Sequence, residues 1–323
     1  MRIRLSGFLL SGAVILTACE QNTSPDDRAG DRLPSFAATS TGGHPTLVAL
    51  NGKLSARGLH VRVPYADYVT SAASGRAGQT IFAFDRGNKH IGTDYVPNDE
   101  RRHPGVNITY LVDQSDGATS TPPTLTSAET EAAIDRAMTT WETTTQCSNF
   151  AIDKVADPGV DPDIVDGLIL GDPALIGTPF FADIVHAGWE PAAFFDSLAP
   201  GGSQFILAVT FPFIFVDGAG NPTDLNHDHE FDTAFNEIYF NDAFAWGIDV
   251  STFPFDVETV ALHESGHGLS QAHFGKIFRT ESNGLLHFAP FAVMNAAISR
   301  QAHSLTGTDL AGHCSLWGSW PHQ

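Results

Sequence analysis

The sequence predicts an α+β fold. Three stretches, opening at Thr126, Val257 and Asp309, carry apolar residues or start signals suited to helices. Between them lie short runs of Val, Ile, Phe and Tyr that read as strands. Helices and strands mix without a strict βαβ repeat, and no repeat at a solenoid period is present. A chain of 323 residues suffices for one large domain or for two, and 42% apolar residues can bury a sizeable core.

Residues 1–18 read as an export leader. Arg2 and Arg4 form a basic start, and Leu5 to Thr17 is mostly apolar but too short to span a bilayer stably. Leu16-Thr17-Ala18-Cys19 resembles the lipobox of bacterial lipoproteins. That resemblance implies cleavage before Cys19 and lipid on its sulfur. Glu20 is not the aspartate that usually retains such proteins at the inner membrane. The expected location is therefore the outer membrane or cell surface, with contact to the membrane only through this anchor.

Residues 19–45 are rich in Ser, Thr, Gly, Pro and Asp and read as a flexible tether. Residues 46–104 hold β-like runs, Leu59 to Val63 and Thr80 to Phe84, and read as a small β-rich N-terminal region. It could be a removed propeptide or a retained domain. The polar stretch Pro97 to Gly105 is a candidate boundary.

Residues 105–323 have a different texture. Asn107 to Val112 alternates like a strand. Thr126-Ser127-Ala128-Glu129 has capping-box spacing, and in the helix beyond it Ile134, Ala137, Met138 and Trp141 share one face. Phe150 to Val155, Ile164 to Leu170 and Gln204 to Val216 are strand candidates, the last a buried one. Glu237 to Phe240 alternates as an edge strand would. Val257 to Leu269 and Asp309 to Trp317 read as helices.

The helix opening at Val257 carries the chemistry. His263 and His267 are four residues apart, one turn on one helix face, so both imidazoles can reach a single zinc. Glu264 beside them is placed to face metal-bound water as a general base. His273 comes six residues after His267, past Gly268 and Ser270, and Met294 lies about twenty residues further on.

This arrangement resembles the metzincin clan of zinc peptidases, and within it the matrixin-like branch. The signature H-E-x-x-H-x-x-G-x-x-H, then a methionine turn, corresponds here to His263, Glu264, His267, His273 and Met294. The resemblance covers roughly residues 105 to 320. It implies a metzincin-like catalytic domain with a twisted mixed sheet and a long active-site helix. It further implies three histidine zinc ligands, a glutamate base and a methionine floor beneath the metal. Ala137-Met138-x-x-Trp141 would sit on the first helix, and Leu305-x-x-x-Asp309 would open the last.

The chain departs from the family pattern in two places. Ser270 stands where the family has a glycine that turns with φ > 0, which costs a serine roughly 1 kcal/mol. His287 and Asp309 are the fallback third ligands. After Cys19 there is no cysteine before Cys147, so a thiolate latency switch is not available. His186, His227 and His229 do not reproduce the family's structural zinc and calcium loop, and no role is carried over to them.

An acidic stretch and a cysteine pair stand outside that resemblance. Asp224, Asn226, Asp228, Glu230 and Asp232 place oxygen ligands at every second residue, like the start of an EF-hand-type calcium loop. His229 replaces the usual glycine, and the twelfth position is Phe235, so a solvated acidic turn is the alternative; Glu237 could substitute only in a wider loop. Cys147 and Cys314 remain after the leader cysteine, and in an oxidising compartment they can form a disulfide.

Acids outnumber bases 37 to 17, and this excludes nucleic acid as a partner, since phosphate binding needs clustered Lys and Arg. The expected function is a zinc-dependent endopeptidase that cleaves extracellular polypeptides with Glu264-activated, zinc-bound water. The alternative is a lipid-anchored, metal-stabilised binding or adhesion module, using Trp317, Trp320 and the Phe-rich run 205–215 as a surface.

Overall fold

A computed structural model of the chain describes residues 42–87, 91–103, 105–113, 125–144, 147, 148, 150–159, 161, 162, 164–171, 181–248 and 255–321. The leader at 1–18, Cys19 and nearly all of the tether fall outside the described residues. No helix among the described residues is long and apolar enough to cross a membrane.

The chain starts with helix α1 (Pro45–Ala56), then strands β1 (Val61–Arg62), β2 (Tyr65–Ser71), β3 (Gln79–Phe82), β4 (Thr93–Asp94) and β5 (Ile108–Val112). Next come helix α2 (Ser127–Thr144), strand β6 (Ile152–Lys154), helix α3 (Val165–Leu170), strand β7 (Ile184–Glu190) and helix α4 (Ala192–Leu198). The long strands β8 (Ile206–Phe215) and β9 (Phe231–Asn241) lead to the short β10 (Trp246–Gly247) and β11 (Phe255–Asp256). Helix α5 (Val257–Gly268), the hairpin β12 (Lys276–Arg279) and β13 (Leu286–Ala289), strand β14 (Ala297–Ile298) and helix α6 (Gly307–Trp317) complete it.

The fold is mixed, with six helices on a mixed sheet among the described residues. The main path of the sheet runs β14-β2-β8-β9-β7-β5-β6. Strands β5, β6, β7 and β9 are parallel to one another, and β8 runs antiparallel to β9. One apolar core joins the sheet to α1, α3 and α4. A second joins its other face to α2, α5 and α6. Because both faces are covered, β8 and β9 read as long runs of Phe, Ile and Val, and each residue of the two strands is buried.

Several sequence expectations change. Ile164 to Leu170 is not a strand: Val165–Leu170 is helix α3. The backbone N–H groups of Ile164 and Val165 donate to the Glu237 carboxylate at 2.9 and 3.0 Å, so this buried acid caps α3. Glu237 is thus committed away from the acidic loop. The segment 237–240 is not an edge but the middle of β9, flanked by β7 and β8.

The region 46–104 does not stand apart from residues 105–323. It opens with a helix, α1, whose Leu47, Leu50 and Leu54 enter the first core. Its strands β1 and β2 pair with β8, and β4 pairs with β9. The Phe-rich run, Trp317 and Trp320 are buried in the cores, so they offer no partner surface. The disulfide is formed: Cys147 and Cys314 are joined, with Cα atoms 5.6 Å apart.

Candidate metal centre

Helix α5 is fixed at both ends. At its start Asp256 caps the helix, accepting from the Thr259 N–H at 2.8 Å, and Glu258 lies in the first turn, where the helix dipole favours an acid. At its end the N–H of Gln271 donates to the Gly266 carbonyl and that of Ser270 to the His267 carbonyl, at 2.9 and 2.8 Å. This pair of bonds is a Schellman closure, which needs a left-handed residue after the cap. Ser270 fills that position at φ +66°. The turn expected of a glycine is thus made by a serine.

The closure brings His273 back over the helix. His263, His267 and His273 point their Nε2 atoms at one another, with separations of 3.1, 3.2 and 3.3 Å. The ring Nδ1 of His263 donates to the Val293 carbonyl and that of His267 to the Gln271 carbonyl, each at 2.7 Å. Those bonds select the tautomer that leaves Nε2 as a lone pair. Burial pushes the pKa down in each ring: to about 3 for His263, to about 4 for His267, and well below the ordinary value for His273. Three neutral lone pairs converging on one point repel unless a cation lies between them. Nitrogens at ~2.0–2.1 Å from a tetrahedral zinc would be about 3.3 Å apart, so the spacing fits the ion. Among the described residues, no other group of three or more His, Cys, Asp or Glu draws its ligand atoms so close.

Glu264 sits on the same helix and is fully buried. Thr210 Oγ1 on β8 donates to its Oε2 at 2.6 Å, while its Oε1 has no hydrogen-bond partner. Burial raises its pKa well above the usual carboxylate range, the Asp67 carboxyl adds to this, and the Thr210 hydroxyl and Val69 amide oppose it. Asp67 Oδ2 lies 3.7 Å from His267 Nδ1.

Met294 packs beneath the helix. A Cβ added to Gly266 would lie 2.3 Å from Met294 Sδ and 2.9 Å from the Trp141 ring, so only glycine lets the two approach. Trp141 on α2 donates its indole N–H to the Leu262 carbonyl at 2.8 Å. The fallback ligands have other tasks. His287 is exposed on β13 and bonded to Thr280, and Asp309 is buried beneath the Met294 turn.

The acidic loop does not gather its five oxygen-bearing side chains. Asp232 is buried in an ion pair with Arg101 at 2.6 Å. Asp224 accepts from the N–H groups of Asp228 and His229, bracing the turn. Asn226 donates to Asp94 and Asp228, and Glu230 packs against Gly92. Sequence reasoning missed Asp94, which burial and the neighbouring Asp228 push up to about 8. It also missed Thr210 and Asp67, which no motif flags because they reach the site from other strands. No protein-family model and no curated protein matches this chain.

Proposed function

We propose that the protein is a zinc-dependent endopeptidase of metzincin type, exported and held at the cell surface through lipid on Cys19. The observation that carries this reading is the convergence of the His263, His267 and His273 Nε2 atoms beside Glu264. A structural zinc site has no need of that carboxylate. The Met294 turn under the ligands and the mixed sheet beside α5 add support.

Zinc held by the three histidines would supply a Lewis acid toward water and the scissile carbonyl. The chain's residues do the rest. The Val293 and Gln271 carbonyls hold the first two rings in register. Glu264 takes a proton from the attacking water and delivers it to the leaving amine nitrogen, so water adds across the C–N bond. Met294, Trp141 and Leu262 form an apolar floor that fixes the helix. Extended polypeptides are the fitting substrates, paired as an added strand.

The test is Glu264→Gln in zinc-loaded protein. Zinc stoichiometry should stay at the wild-type value while chelator-sensitive hydrolysis of a quenched peptide library disappears. Cleavage by the variant at the wild-type rate would rule the mechanism out.

A further inference from the structure

Strand β2 lies between β8 and β14, beside the histidine cluster. It pairs antiparallel with β8, Asp67 opposite Thr210 and Val69 opposite Ala208. It pairs parallel with β14, Thr70 opposite Ala297 and Ser71 opposite Ile298. Strand β14 begins three residues after Met294. Strand β8 supplies Thr210, the hydroxyl bound to Glu264. The slot between β8 and β14 therefore borders the histidine cluster, and the chain's own segment fills it.

Side chains and backbone agree. The seven residues of β2 are buried. Asp67 Oδ2 approaches His267 Nδ1 to 3.7 Å. A register shift between Val69 and Thr70 bends the strand at this point. Glu264 and His263 have no exposed surface. In this form neither water in quantity nor a polypeptide reaches the base. On the edge away from β8, β3 pairs with Tyr65 to Tyr68; Gly78, just before β3, donates to the Ala296 carbonyl, and a Cβ on Gly78 would lie 2.1 Å from the Tyr68 carbonyl oxygen.

We infer that β2 is an internal pseudosubstrate strand, and that the chain is latent until β2 leaves the slot between β8 and β14. This rests on the peptidase reading of the same site. Displacement frees the hydrogen-bonding edges that an extended polypeptide needs. Latency here uses main-chain pairing and burial, with no thiolate.

The probe is a peptidyl hydroxamate, measured by fluorescence anisotropy against the zinc-loaded full chain. If the open state is a minor one, apparent affinity falls by its population, so loosening β2 should tighten binding by about tenfold or more. Two variants loosen it: Val69→Pro, which removes the amide, and Gly78→Ala, which works from the outer side and leaves β8 and the histidines untouched. Hydrogen exchange of the 65–71 amides is measured in parallel, and probe binding should accelerate it. Equal probe affinity in wild type and folded variants, with 65–71 still protected when the probe is bound, would overturn the pseudosubstrate. Hydrolysis of a quenched peptide separates the two ideas. Displacement of β2 by the probe without turnover in any form would remove the peptidase reading and keep the strand's role. Equal turnover in all forms with 65–71 protected would do the reverse.

Discussion

The carboxylate of Asp309 accepts a hydrogen bond from the Met294 backbone N–H at 3.1 Å, and from that of Val293 at 3.0 Å. The same carboxylate closes the capping box of α6 with Thr306. Val293 in turn offers its carbonyl to His263 Nδ1. One buried acid thus links the last helix, the Met294 turn and the first ligand. Asp309→Ala should cost about 2–4 kcal/mol, since it orphans two buried amides and a helix cap. Zinc affinity should fall about 10- to 100-fold, as expected when a ligand loses its supporting partner. Urea denaturation and zinc competition with a chelator measure both, and Asp309→Asn should lose less on each.

Gly266 is the other support of the Met294 turn. Gly266→Ala forces a methyl into Met294 Sδ and the Trp141 ring. Overpacking of this kind costs about 1–3 kcal/mol. Met294→Ala alone should also destabilise, by leaving a cavity. Combined, the two should be less harmful than their sum, because the methyl then has room. A double-mutant cycle by urea unfolding reads the coupling, and strict additivity would show that the two side chains do not compete for the same space.

Ser270 makes its left-handed turn at a cost that glycine avoids. Ser270→Gly should leave zinc affinity unchanged and alter stability by less than about 1 kcal/mol, because relief of strain is offset by chain entropy. Ser270→Val should lose about 1–2 kcal/mol, because a β-branched residue is poorly tolerated at positive φ. If valine were as stable as serine, the Schellman closure would not hold the end of α5.

Locality decides which parts of the fold and site are legible in the sequence. The ligands lie within eleven residues on one helix and its closing turn, so their spacing alone places them. The Thr126–Glu129 cap is equally local, and capping chemistry explains it; the last helix, read from the sequence as opening at Asp309, is capped by Thr306 with Asp309 as its third residue. Strand β2 is not legible beside β8, because Tyr65 to Ser71 is buried throughout and shows no alternation to mark a face. Beyond the nearby β3, its partners β8 and β14 lie more than a hundred residues away. Ile164 to Leu170 is an apolar run too short for its period to separate strand from helix, and the Glu237 cap that decides the matter comes from another strand. The oxygen spacing from Asp224 to Asp232 suggests one ion, but Arg101, far off in sequence, takes Asp232.

The disulfide joins Cys147, just past α2, to Cys314 on α6 across 167 residues. It restrains a long loop in the unfolded chain and holds α6 near α2. Replacing both cysteines by serine should cost about 2–5 kcal/mol. The urea midpoint of the variant should match that of reduced wild type. No shift on reduction would mean that the bond adds nothing to stability.

Two buried histidines outside the ligand set tie stability to pH. Burial pushes His186 down to about 3, with Lys154 adding to the effect, and His313 down to about 4, against an ordinary 6.5. Folding therefore holds both neutral, while the unfolded chain takes up their protons once pH falls below that ordinary value. Their contribution is complete above it and is lost as pH falls toward 4, at up to about 1.4 kcal/mol per pH unit for each ring. His313 packs between Trp141, Phe150 and Trp317, an environment that also suits a phenyl ring. His313→Phe should flatten the slope of stability between about pH 6 and 4 by about that amount, with little change near pH 8. The ligand histidines are common to both proteins, so the difference isolates His313. Identical slopes would mean that its ring is protonated alike in the folded and unfolded chains.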